Sequence, residues 1–112
     1  MPAVLPEVRV TPEVLKVLED QHAEEEYRIY LELIAEWYPE TLLVKPFVFP
    51  DPHESDWLLV LMRIVLPHTL PVQMWAERDR GFYREVVVRL PPPMKLTCSL
   101  YVAFTDVSDA LA

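Results

Sequence analysis

Hydrophobic side chains recur along this chain with two different periods, and each change of period marks a new element. From Val14, Leu15 and Leu18 through Tyr27, Tyr30, Leu31, Ile34 and Tyr38, apolar positions fall mostly three or four apart. That spacing puts them on one side of a helix. Thr11-Pro12-Glu13 opens the stretch with a capping hydroxyl, a proline at the first helical position and an acid in the first turn. The polar run from Asp20 to Glu26 interrupts the stripe, which leaves one long helix or two joined near Gln21, and Pro39 ends it. Leu42 to Phe49 then reads as a strand, with Pro46 assigning it to a sheet edge or a bulge. After the turn-rich stretch Pro50 to Asp56, Trp57 to Leu66 is almost continuously apolar, the pattern of a strand covered on both faces. The two strands predict an antiparallel hairpin of the longer-loop kind.

Helical spacing returns after Pro71 at Met74, Trp75, Arg78, Phe82, Val86 and Leu90. Gly81 inside that stretch weakens it by about 1 kcal/mol relative to alanine, and Val86-Val87-Val88 also suits a strand. Pro91-Pro92-Pro93 stops it. From Met94 to Phe104 the period becomes two: Leu96, Cys98, Leu100, Val102 and Phe104 share one face, and Lys95, Thr97, Ser99 and Tyr101 the other.

The expected fold is therefore α+β in the order helix, strand, strand, helix, strand, one domain over residues 1–112. Residues 1–10 form an extended lead-in and 105–112 a tail. Helices on one face of a three-stranded sheet would bury Leu58, Val60, Met62, Ile64 and the Leu96 to Phe104 row. The opposite face then carries Trp57, Leu59, Leu61, Arg63 and Val65 beside Thr97, Ser99 and Tyr101. So apolar a sheet face calls for a cover: a second copy of the chain, another partner, or the N-terminal segment folded back. Trp57, Leu59, Leu61, Arg63 and Tyr101 are the candidate interface residues, and a homodimer is the commonest solution.

Composition mainly excludes. The net charge of −8 opposes nucleic acid, whose phosphates need a basic surface. The single Cys98 makes no internal disulfide and agrees with a reducing compartment. No apolar run reaches the roughly 20 residues that span a bilayer, and no basic-then-apolar leader opens the chain. A cytoplasmic protein without a membrane partner is expected. Asparagine is absent and proline occurs twelve times, which suits a thermophilic bacterium, although GC-rich coding biases composition the same way.

The lone Gly81 rules out phosphate-cradling loops, which need several glycines for close backbone approach to the anion. Ser55-Asp56-Trp57 touches on the small nucleotidyltransferase pattern, but Leu58 stands where a second acid is needed. The apolar sheet face and the missing catalytic set make a non-enzymatic interaction or regulatory accessory module, self-associating through that face, the expected function; Asp51, His53, Glu54 and Asp56 gather potential ligands in one loop, so the alternative is a small metal-dependent hydrolase using that loop with His68. A solvated turn explains the same acids. No cofactor, metal or catalytic set is assigned. His22 and His68 read as surface or capping histidines, Cys98 as a buried thiol, and Glu24-Glu25-Glu26 as a solvated helix face with Glu24 and Arg28 at i,i+4. Arg78, Arg80, Arg84 and Arg89 alternate with Glu77, Asp79 and Glu85, which reads as surface ion pairing rather than a nucleic-acid stripe; the alternative hypothesis is that the acidic first helix and the arginine-bearing second one meet, within or between chains.

Val48-Phe49-Pro50-Asp51-Pro52-His53 followed by Leu58-Leu59-Val60-Leu61 resembles a pattern in small uncharacterised bacterial α+β proteins, in which a strand ends in Pro-Asp-Pro and a hairpin partner follows. The resemblance covers about residues 42–104. It implies the helix, strand, strand, helix, strand order and no activity. Glu36-Trp37-Tyr38-Pro39-Glu40 is similar to the helix end of RWD-type binding domains.

Overall fold

A computed structural model of the chain describes residues 7–50, 57–67, 71–90 and 97–104. The elements run β1 (Glu7–Val8), α1 (Pro12–Asp20), α2 (Glu24–Trp37), β2 (Leu43–Pro50), β3 (Leu58–Leu66), α3 (Val72–Arg89) and β4 (Cys98–Phe104). The fold class is α+β, as the periodicity indicates, but the sheet has four strands rather than three, in the order β1-β2-β3-β4. The extra strand comes from the lead-in. Glu7 and Val8 pair in parallel with Leu43 and Val44, and the Arg9 amide donates to the Val44 carbonyl at 2.9 Å. A two-residue strand has no periodicity to read, which is why the pattern misses it.

The apolar stripe of residues 12–38 is two helices. Thr11 caps α1, its side chain accepting from the Val14 amide at 3.4 Å. The chain then turns at Gln21 and His22, where His22 takes a positive φ of 54°. Histidine tolerates that conformation better than most side chains, and here it lies exposed in the turn. No side chain caps α2. Instead its first turn carries Glu24, Glu25 and Glu26, whose charge suits the positive end of the helix dipole. The second apolar stripe is helical throughout, Val86 to Val88 included.

Strands β2 and β3 form the expected antiparallel hairpin, from Leu43↔Val65 to Pro50↔Leu58. Strand β4 runs parallel to β3, from Val60↔Cys98 to Leu66↔Phe104, because α3 carries the chain back between them. Proline falls where its missing N–H does no harm. Val44 turns its backbone toward β1, and Pro46 and Pro50 share that parity beyond the end of β1, so neither takes a donor from the β2–β3 ladder.

One face of the sheet carries the core. Val44, Val60, Met62, Ile64, Leu66 and Cys98 meet Val14 and Leu18 of α1, Ile29, Tyr30, Leu33 and Ile34 of α2, and Phe82 and Val86 of α3 in one buried cluster. Leu58 is not part of it. It opens β3 at the hairpin end and stays 37% exposed. Phe82 is the centre of an aromatic group, edge-on to Tyr30 at 5.6 Å between centroids and tilted against Tyr38 at 6.1 Å. Gly81 explains itself in this packing: a Cβ there would sit 2.5 Å from the indole of Trp37, so its absence lets α2 approach α3. Arg78 to Glu40 at 2.7 Å and Arg89 to Glu36 at 2.9 Å then join the end of α2 to α3 within the chain.

Candidate functional site

Alternation in β3 sends Leu59, Leu61, Arg63 and Val65 to the face away from the helices. The hairpin register sets Leu43, Lys45, Phe47 and Phe49 beside them from β2, and the parallel ladder adds Ser99 and Tyr101 from β4. Of the residues that the sequence nominates, the sheet thus brings Leu59, Leu61, Arg63 and Tyr101 together. Trp57 lies just before β3, half-buried, where the ladder does not fix its side. Thr97 precedes β4 and is buried, so it does not contribute to an open face. Phe47 and Phe49 were missed, since placing them needs the register of the hairpin, which its loop length leaves free.

The face has a closed end and an open one. Leu43 and Val65 pair with each other in a small second cluster, and Val65 is fully buried. Toward the hairpin the cover falls away: Leu59, Leu61 and Phe47 are half-buried, and Phe49 and Tyr101 are 45% and 50% exposed. Between the ends lies Arg63. Its guanidinium is 4.8 Å from the Phe47 ring centroid and 5.5 Å from that of Tyr101, a cation held between two aromatic rings. Its Nε is buried without a hydrogen-bond partner, and Arg63 forms no ion pair among the described residues.

A different arrangement guards the outer edge of β4. The buried Glu26 carboxylate accepts from the Thr97 amide at 3.1 Å and from the Cys98 amide, which ties the first turn of α2 to the start of the strand. Glu26 is therefore not part of a solvated helix face. Its place on the inward side of α2 turns it to β4, and only Glu24 and Glu25 stay exposed. Arg28 pairs with Glu25 and Glu32 rather than with Glu24. Burial raises the Glu26 carboxyl above its ordinary pKa, against the pull of the Cys98 and Thr97 amides. Burial also pushes the Cys98 thiol well up, with a smaller push from the neighbouring Glu26 charge. A thiol so held is a poor nucleophile. One step along the edge, the Tyr83 hydroxyl accepts from the Leu100 amide at 2.8 Å and lies 3.2 Å from Ser99 Oγ.

Among the described residues, no group of three or more His, Cys, Asp or Glu is placed to hold a metal ion, and no helix is long and apolar enough to cross a membrane. The 51–56 loop and His68 lie outside the described residues. The open end of the sheet face, with Arg63 between Phe47 and Tyr101, is the arrangement best suited to recognition. No family model, curated protein or solved structure matches the chain.

Proposed function

We propose that this protein is a non-enzymatic interaction module that docks through the outer face of its sheet, with a second copy of the chain as the expected occupant. The observation that carries the reading is Arg63. A guanidinium flanked by aromatic rings, with a buried Nε and no ion pair among the described residues, gains most from a carboxylate supplied from outside. Leu59, Leu61, Phe47 and Tyr101 around it offer the apolar and aromatic surface that interface centres favour. A copy of the chain brings suitable acids. Glu7, in an exposed ion pair with Arg9 at 3.6 Å, shares the outer face with Leu43, two strands from Arg63. The charge of −8 on each copy works against association, and physiological salt screens that repulsion beyond about 8 Å.

Sedimentation velocity across a concentration series tests the reading. The wild-type chain is expected to form a dimer, and Leu61→Glu or Arg63→Ala to return it to monomer without loss of fold. A strictly monomeric wild type at roughly 1 mM, where an association of only about 4 kcal/mol would still register, refutes self-association.

A further inference from the structure

The edge of β4 away from β3 carries a feature separate from the outer face. In the ladder with β3 the odd residues of β4 turn their backbone inward, as Thr97 does when its carbonyl accepts from the Val60 amide at 2.8 Å. The amides of Cys98, Leu100 and Val102 therefore point to the edge. Glu26 caps the first and Tyr83 the second. Two residues of strand advance roughly 6.6 Å and four residues of helix 6 Å, so α3 keeps step with β4. Asp79, one turn before Tyr83, falls level with Val102. No side chain caps that third amide among the described residues. A cavity of about 290 Å³ lies there instead, lined by Trp75, Asp79, Leu100, Tyr101 and Val102.

Asp79 makes no hydrogen bond or ion pair among the described residues, and desolvation holds its carboxyl above the ordinary aspartate range. Trp75, one turn before Asp79 in α3, has no cation over its ring among the described residues, whereas Arg63 already lies over Tyr101. We propose that this cavity binds a small organic ammonium ion, its charge on Asp79 and its alkyl groups against Trp75 and Val102. An unpaired acid beside an indole face selects a cation over a neutral molecule of the same shape. The volume stands at the lower end of ligand cavities, which begin near about 300 Å³. It therefore suits a group of a few heavy atoms. The caps on Cys98 and Leu100 deny the same edge to an added peptide strand, and the net charge of −8 draws cations toward the protein.

The test is a titration of the ¹⁵N-labelled full chain with choline at physiological ionic strength, followed at the Val102 amide and the Trp75 indole N–H. Saturable shifts confined to those signals are expected, with the neutral carbon isostere of choline at least about tenfold weaker. Asp79→Asn should weaken choline binding about tenfold and Trp75→Leu about fivefold, while the Leu100 amide, held by Tyr83, reports an intact edge. Equal binding of the isostere, shifts that are linear or lie elsewhere, no shifts at all, or folded variants that bind as well as wild type would each overturn the proposal. None of these outcomes bears on association through Leu61 and Arg63, which is read separately by sedimentation.

Discussion

The two faces of the sheet are written by the same alternating strands, yet they are finished in opposite ways. On the helix side Val60, Met62 and Ile64 have no exposed surface, and three helices close over them. On the other side the neighbouring residues Leu59, Leu61 and Arg63 remain half-open, and only the Leu43 and Val65 corner is sealed. Alternation decides which side chains share a face. It does not decide what lies on top of that face.

The sharpest way to break this comparison is to cut the same bulk from adjacent residues. Met62→Ala should cost about 2–5 kcal/mol in urea denaturation, because a cavity opens in a packed core. Leu61→Ala should cost only about 1 kcal/mol, since its side chain is already part-hydrated. Similar losses at both positions would show the outer face to be as firmly covered as the inner.

Glu26→Ala should follow, at about 2 kcal/mol, by leaving the Thr97 and Cys98 amides without an acceptor. This residue also gives a pH signature of unusual sign. Its carboxyl titrates higher in the folded chain than in the unfolded one, so the folded state holds the proton more tightly. The contribution of Glu26 to stability therefore grows as pH falls from neutral through the raised value, and levels off below about pH 4. The stability difference between wild type and Glu26→Ala should widen on acidification, and a difference that shrinks would contradict the buried clamp.

Gly81→Ala sets two terms against each other. Helix propensity favours alanine by about 1 kcal/mol, while the new methyl meets the Trp37 indole. Overpacking of this kind costs about 1–3 kcal/mol, so a net loss of about 1 kcal/mol is expected in thermal melts. A stabilised variant would mean that the indole has room to turn.

The helices and the long strands were legible because each spans several periods of its pattern, as Val14 to Tyr38 and Trp57 to Leu66 do. Strand β1 was not, since two residues carry no period. Glu26 was misread for a related reason. In sequence it is one of three consecutive acids, and only the packing of α2 against β4 separates it from Glu24 and Glu25. The candidate interface was half legible: alternation gave Leu59, Leu61 and Arg63, while Phe47 and the stacked guanidinium depend on register. The Asp79 cavity was invisible beforehand, because an acid among α3's interleaved charges shows nothing of the strand beside it.

The placement of Pro46 and Pro50 has a consequence for growth beyond one molecule. Past Val44 that margin offers a docking neighbour two ring nitrogens in place of donors, and a sheet cannot be lengthened sideways through positions with no hydrogen to give. Sideways addition of strands is thereby disfavoured along that border, where only Val48, between the two prolines, still has an amide hydrogen to offer.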